Sequence, residues 1–300
     1  MEIPLVHKID RELMSEVKLV ELLTLDKIEE GLFRGESWDL GFRALFGGQV
    51  LGQALAAAQL TLPEGRISHS FHSYFLLPGD ANKPVIFDVE NVRDGRSFST
   101  RRVKAIQNGR NIFYMTASFQ APEAGLAHQY AEMPNVPPPE DIKSDIDEFG
   151  SNHDMPERMC ESTGYHKPID MRTVDYVDPA KVIIQQPKRY IWMKAQEMLS
   201  GNINLNQVML AYASDYHLLS TALHPHGVST RDKNIRMATI DHSMWFHHAF
   251  DFDDWLLYCA ESPFSGGARG LVRGQFFNRE GKLVASTMQE GLLRQIGEDR

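Results

Sequence analysis

The sequence of 300 residues contains only two cysteines, Cys160 and Cys259, and they form no C-x-x-C pair. Two isolated thiols can supply neither a four-ligand zinc site nor the dense disulfide network of a small secreted scaffold. No run of about 18 apolar residues occurs, and no basic segment followed by an apolar run opens the chain. The sequence therefore predicts no metal, no stable membrane anchor and no secretion signal, and it favours a cytoplasmic protein.

Positive charge is scarce as well. The chain has 31 lysines and arginines against 40 aspartates and glutamates, a formal net charge of −9. Binding of nucleic acid requires many cations against the phosphates, so we expect no nucleic-acid partner. An anionic small molecule held by a few local arginines remains compatible with this balance. The apolar fraction of 42% is that of a globular protein with a core.

Several motifs that would carry chemistry are missing. The sequence has no G-x-S-x-G, no G-x-x-x-x-G-K-[ST], no G-x-G-x-x-G and no H-E-x-x-H. It therefore lacks the serine nucleophile elbow, the phosphate-cradling loops and the zinc-protease motif. A metal site in the segment IDHSMWFHH is also disfavoured, because on an alternating strand His242 and His248 share a face while His247 points to the other.

The chain repeats one order of predicted elements. Helical apolar spacing covers 46–62 and 205–223, and four β-rich runs follow each helix: 69–77, 84–92, 98–106 and 111–120, then 235–250, 254–262, 270–277 and 282–294. His72-Ser73 precedes His242-Ser243 by 170 residues. A helix followed by an antiparallel meander, twice, predicts an α+β chain of two repeats. Pairing the two sheets edge to edge would protect two open strand edges.

A segment of different composition separates the repeats. Residues 121–170 hold eleven acidic side chains against three lysines and arginines, together with three consecutive prolines at 137–139. Such a composition predicts a weakly ordered surface linker. We divide the chain into an N-terminal unit at 15–122, an acidic, proline-containing linker at 123–167 and a C-terminal unit at 168–296.

Three polar residues of the second unit stand out. Asp215 interrupts an apolar helix, Thr239 lies on a strand, and Gln289 lies near the end of the last strand. Each has an ordinary interpretation: a solvent-facing aspartate on an amphipathic helix, a common strand threonine, and a polar residue at a strand end. Pattern alone assigns none of them to catalysis.

From about residue 20 to 295 the sequence resembles the acyl-CoA thioesterase II family. The resemblance is carried by LFRGES, FGGQVLGQAL, HSFHSYFLLPGD, IFYMTASFQAPE, YASD, ATIDHSMWFH, GGARGLVRGQFF and LVASTMQEG. It implies a double hotdog fold and the hydrolysis of fatty acyl-CoA to free fatty acid and coenzyme A. It also implies that Asp215, Thr239 and Gln289 form the catalytic set. No cofactor is implied, because coenzyme A is part of the substrate, and a homo-oligomer is expected by analogy.

These residue types suit hydrolysis without a covalent intermediate. Asp215 would act as the base or the charged anchor of a water, while Thr239 and Gln289 would hold the same water and orient the carboxylate. Backbone N–H groups near a helix start would meet the developing oxyanion. Gly47-Gly48 would allow either a ligand or a packed neighbouring element to approach the first helix closely.

Two alternatives remain open. A hotdog hydratase or dehydratase would use a histidine–carboxylate pair, for which Asp241-His242 is the local candidate, although neighbouring strand residues point to opposite faces. A non-catalytic acyl-CoA-binding module would bind ligand without turnover. The residues that close the acyl cleft are also open, with Phe75, Trp245 and Phe246 as candidates.

Overall fold

The computed structural model describes residues 18–150, 168–178, 183–199 and 201–297. The helices are α1 (Leu19–Leu23), α2 (Gly47–Gln59), α3 (Asp145–Gly150) and α4 (Ile203–Ala213), with 3-10 turns at Pro139–Asp141 and Leu219–His226. The strands are β1 (Asp26–Glu29), β2 (Leu32–Gly35), β3 (Ile67–Phe75), β4 (Val85–Asp94), β5 (Phe98–Gln107), β6 (Arg110–Gln120), β7 (Ile169–Thr173), β8 (Lys188–Ala195), β9 (Ile235–Thr239), β10 (Asp241–Phe246), β11 (Leu256–Gly266), β12 (Arg269–Asn278) and β13 (Leu283–Gln295).

The strands form one antiparallel sheet in the order β1-β2-β4-β5-β6-β3-β10-β13-β12-β11-β8-β7, with β9 paired to β13. Each half has the same internal order, so the sheet is built from two repeats. The halves meet where β3 pairs with β10, and His72 and Ser73 lie opposite Ser243 and His242. The dipeptides that echo each other in sequence are thus cross-strand partners. The predicted α+β repeats and their edge-to-edge pairing are confirmed.

The two long helices pack directly against each other. Alanines, leucines and glycines make α2 buried almost throughout. A Cβ added to Gly48 would lie 2.2 Å from the carbonyl oxygen of Tyr212 on α4, and one on Gly52 would lie 3.2 Å from that of Val208. Glycine is therefore required at Gly48 for the helices to approach this closely. One continuous apolar core spans both repeats as a result.

Two predicted elements differ from those observed. The helix predicted over 205–223 ends at Ala213, and His217 soon afterwards has a φ of 60°, a left-handed conformation that a helix cannot continue through. Asp215 consequently lies in a turn beyond the helix, and the prediction of a mid-helix aspartate was wrong. The strand predicted over 235–250 is broken at Ile240 and ends at Phe246.

The described part of the linker packs more closely than its composition predicts. The indole Nε1 of Trp192 donates to the carbonyl of Pro137 at 2.9 Å. The buried carboxylate of Asp145 accepts from the backbone N–H of Thr173 at 2.7 Å and from its hydroxyl at 2.8 Å. The expectation of a weakly ordered linker therefore does not hold for 137–145. Residues 151–167 lie outside the described part, and the unit boundaries stay predictions.

Within residues 18–150, 168–178, 183–199 and 201–297, no helix combines the length and apolar character of a membrane span, and no three metal-binding side chains cluster. Cys259 is partly buried, and burial raises the pKa of its thiol to about 12, so the thiolate is rare at neutral pH. Cys160 lies outside the described residues.

Candidate active site

The structure brings Asp215, Thr239 and Gln289 together from three separate elements. The side-chain Nε2 of Gln289 donates to the hydroxyl oxygen of Thr239 at 2.6 Å and to Oδ1 of Asp215 at 3.2 Å. An amide nitrogen carries two hydrogens, so both donors of Gln289 have acceptors here. Gln289 itself is fully buried, with 0% of its surface exposed.

The break at Ile240 determines how the two strand residues meet. Thr239, the last residue of β9, pairs with Gly291, whereas Ser243 on β10 pairs with Met288. The register therefore shifts by one residue between β9 and β10, as at a β-bulge. Because Gln289 lies two positions from Gly291 on β13, it shares a sheet face with Thr239 and is its diagonal neighbour.

Asp215 reaches the first repeat. Its carboxylate accepts a hydrogen bond from the backbone N–H of Gly48, in the first turn of α2. A Cβ added to Gly47 would lie 2.6 Å from Oδ2 of Asp215, so the absence of a side chain there makes room for the carboxylate. The positive end of a helix is a favourable place for an anion. The site is therefore assembled from both repeats: the carboxylate from one and the helix start from the other.

The environment of Asp215 tunes its acidity. Burial raises the pKa of the carboxyl from 3.8 to about 6, against the lowering effect of the hydrogen bonds from Gln289 and Gly48. Desolvation disfavours the charged form, and the two donors restore part of the loss. At pH 7 the group is still mainly ionised, and it is far more basic than an ordinary aspartate. A carboxylate with this pKa can accept a proton near neutral pH.

Asp215 and Thr239 line a cleft of about 1490 Å³ between the repeats. Apolar side chains of the first repeat form part of its wall, including Phe46, Val50 and Phe75. Arg231, close to the other end of β9 in sequence, also lines it. Such a cleft accommodates a long ligand with an apolar part.

Only one of the three aromatic candidates for this wall lies in it. Phe75 lines the cleft. Trp245 instead packs its ring edge-on against His72, at a centroid distance of 5.3 Å, and Phe246 is buried in the core. The strand alternation of β10 explains this separation, because neighbouring side chains face opposite sides of the sheet.

Alternation also separates the histidine–carboxylate pair of the hydratase alternative. His242 is fully buried, whereas Asp241 is partly buried and accepts a hydrogen bond from the backbone N–H of Glu290 at 2.8 Å. His247 and His248 follow the end of β10 and bond to Ser286 and to the carbonyl of Leu283. These four side chains do not converge on one point.

Sequence reasoning identified the three converging side chains but missed two features behind them. The hydrogen bond from Gly48 depends on the packing of α2 against the turn after α4, although the Gly47-Gly48 pair at a helix start was a visible signal. The burial of His242 directly behind Gln289 depends on strand register, which a single sequence does not give.

Comparisons with known proteins agree with this architecture. The family model for acyl-CoA thioesterase matches residues 183–292, and that for the acyl-CoA thioesterase N-terminal domain matches residues 35–120. Acyl-CoA thioesterase 2 of Haemophilus influenzae is 46% identical over 94% of this chain and 99% of its own length. Human acyl-coenzyme A thioesterase 8 is 38% identical over 94% of this chain and 90% of its own length.

Solved structures lead to the same class. The crystal structure of an acyl-CoA thioesterase II from Mycobacterium marinum matches with a TM-score of 0.74 at 38% identity, over 92% of this chain and 97% of that chain. A hotdog-fold protein from Alicyclobacillus acidocaldarius matches with a TM-score of 0.74 at 19% identity, over 92% of this chain and 98% of that chain, which supports the fold alone. The architecture is a double hotdog. The chain belongs to the acyl-CoA thioesterase II family and is an acyl-CoA thioester hydrolase.

Proposed function

We propose that the protein hydrolyses fatty acyl-CoA to free fatty acid and coenzyme A by direct attack of a water that Asp215 and Thr239 hold. The observation that carries the proposal is the double hydrogen bond of the Gln289 amide to these two side chains. It turns the carboxylate and the hydroxyl toward the same cleft. Asp215, with a pKa raised to about 6, is the base.

The chemistry follows from the donors and acceptors. Asp215 accepts a proton from the water as the water oxygen attacks the thioester carbonyl carbon. The carbon–sulfur bond then breaks, and the coenzyme A thiolate leaves and takes up a proton. No covalent intermediate on the protein is required, and no cofactor takes part. Holding the water beside the carbonyl converts a bimolecular encounter into an oriented one.

Thr239 acts as a donor in this scheme. Its oxygen already accepts from Gln289 at 2.6 Å, so its own O–H is free to bond the water or the substrate. The neutral amide of Gln289 is fully buried behind the pair. We therefore assign Gln289 the role of orienting Asp215 and Thr239, with the water contacted by those two side chains.

The test is release of free thiol from acyl-CoAs of short to long chain, followed with a colorimetric thiol reagent. Asp215→Asn is the test variant, and Asp241→Asn is its matched control, because the Asp241 carboxylate bonds the backbone of Glu290 and not the site. We expect Asp215→Asn to lower kcat by about 10²–10⁴, the usual contribution of a positioned base. Asp241→Asn should stay within a few-fold of wild type.

Each alternative outcome has a distinct meaning. A folded Asp215→Asn protein with wild-type turnover would show that the base is misassigned. Loss of thiol release confined to Asp241→Asn would show that Asp241, and not Asp215, is the base of the hydrolysis. Ligand binding without thiol release from any chain length would favour the binding module. The cytoplasmic location and the homo-oligomer stay predictions, to be checked by fractionation and by light scattering of the purified protein.

A further inference from the structure

A histidine that the proposed reaction does not use lies directly behind the site. His242 on β10 is fully buried, with 0% of its surface exposed. Ser243 pairs with Met288, so the next position along the two strands sets His242 opposite Gln289. Cross-strand partners on one face have their side chains within contact distance. His242 therefore faces the amide that orients Asp215 and Thr239.

Two polar atoms on these neighbours lack a hydrogen-bond partner among the described residues: Nδ1 of His242 and Oε1 of Gln289. Leaving a buried donor or acceptor unpaired is costly, so such atoms are rare and call for an explanation. Burial lowers the pKa of His242 to about 4. The Gln289 side chain acts in the opposite direction and raises this pKa, which is the effect of a hydrogen-bond acceptor close to the ring. The imidazole is neutral at pH 7, so one ring nitrogen carries hydrogen and the other accepts.

The hydrogen-bond acceptors around Gln289 determine which ring nitrogen of His242 carries the hydrogen. An ionised Asp215 can only accept, so Gln289 must present its NH2 group to it, which turns Oε1 toward His242. Oε1 then needs a donor, and Nδ1–H of His242 faces it. Nε2 is left as the acceptor, and the hydroxyl oxygen of Ser214 lies 3.0 Å from it. The same hydroxyl lies 2.8 Å from the carbonyl oxygen of Ala211, which can only accept, so its single proton serves either that carbonyl or Nε2 of His242. If the proton went to Ala211, Nε2–H would donate to Ser214, and Nδ1 and Oε1 would face each other as two acceptors. In the Nδ1–H tautomer the Ser214 proton goes to Nε2, and Nδ1 and Oε1 are paired.

We propose that His242, as the Nδ1–H tautomer, is a positioning residue that donates to Oε1 of Gln289 and so fixes which end of the amide faces Asp215 and Thr239. The inference rests on the proposed function. A rotated amide would point its oxygen at the carboxylate, where like partial charges repel, and it would withdraw the donor from Thr239. Ser214 immediately precedes Asp215, and its carbonyl accepts from the Tyr258 hydroxyl at 3.0 Å. The network thus links the backbone of the base to the amide that orients it.

Two substitutions separate this role from simple packing. The amide of His242→Asn reaches the position of Nδ1 and keeps a donor for Gln289, whereas that of His242→Gln reaches the position of Nε2 and keeps only the bond to Ser214. We expect His242→Gln to lower kcat by about ten- to a hundredfold with KM within about twofold, and His242→Asn to stay within about threefold of wild type. Equal losses of kcat and of melting temperature in both variants would show a structural role and overturn the proposal.

Two further measurements keep the proposal distinct from the proposed function. In a Gln289→Ala background, His242→Gln should lower kcat no further, because its effect acts through Gln289. Wild-type kcat in Gln289→Ala itself would refute the proposed function and, with it, any catalytic effect of His242. The tautomer is read independently from ¹⁵N-histidine NMR of the intact protein, with the His242→Asn spectrum assigning the signal. A ring protonated at Nδ1 is expected, and one protonated at Nε2 overturns the inference whatever the kinetics.

Discussion

Replacing Asp215 with asparagine should make the protein less active and more stable at the same time. The raised pKa is a statement about stability, because the folded state holds the ionised carboxylate less well than the unfolded chain does. A pKa of about 6 against the ordinary 3.8 corresponds to a penalty of about 3 kcal/mol on the folded state at pH 7. Asparagine carries no charge and escapes this penalty.

The gain is smaller than the penalty, because asparagine keeps only part of the bonding of the carboxylate. Gln289 and Gly48 both donate to Asp215, and the amide oxygen of asparagine replaces one of its two oxygens. Losing one such hydrogen bond costs about 1 kcal/mol. We therefore expect Asp215→Asn to gain about 1–2 kcal/mol in the free energy of unfolding at pH 7, which raises Tm by about 3 °C in a chain of this size.

The pH dependence of this gain identifies its cause. The penalty on wild-type Asp215 is absent below the unfolded pKa and develops in full as the pH rises through about 6. The difference in unfolding free energy between Asp215→Asn and wild type should therefore be largest at pH 7 and shrink steadily toward pH 4. Denaturant titrations at pH 7, 5.5 and 4 measure this difference. A variant that is less stable than wild type by the same amount at every pH would refute the argument that burial strains this carboxylate.

Three further predictions concern the same site. Gly47→Ala should lower kcat about ten- to a hundredfold while the protein stays folded, since its methyl group would meet Oδ2 of Asp215 at 2.6 Å; steady-state kinetics and circular dichroism test this together. Gly48→Ala should instead lose at least about 1–3 kcal/mol of stability, since its methyl group would overlap the Tyr212 carbonyl, and an unchanged denaturation midpoint would contradict the helix packing. Wild-type kcat should fall as the pH drops through about 6, because protonated Asp215 cannot accept a proton; a flat pH profile between 5 and 8 would speak against it as the base.

The sequence predicted the order of elements better than it predicted where they end. Periodicity located the helix at α4, but its end depends on the left-handed turn at His217, which local propensity does not anticipate. The break at Ile240 is likewise a matter of pairing, since β9 and β10 meet β13 in different registers. Hydrophobic patterns specify faces, whereas bulges and helix ends follow from tertiary packing.

The candidate site also divides into what the sequence predicts and what depends on tertiary packing. Asp215, Thr239 and Gln289 were named because the chain resembles a known family, since no pattern of spacing links residues so far apart in sequence. The electrostatic setting could not be predicted, because the raised pKa of Asp215 and its bond from Gly48 require the two repeats to be packed together. Strand alternation alone disfavours a metal role for His242, but the identity of its cross-strand neighbour requires the register of β10 against β13.

The bond between Asp215 and the start of α2 has a consequence for how such a chain can diverge. The reactive carboxylate and the helix whose N-terminus it contacts are encoded in different halves of the sequence. Their contact is kept only while α2 packs against α4 in the same geometry. A chimera that exchanges one repeat for that of a relative inherits the cleft wall of one parent and the base of the other. The chimera will be active only if both parents have the close packing of α2 against α4 that requires glycine at Gly48. Exchange of halves is therefore a route to new acyl preferences only among parents that conserve this helix crossing.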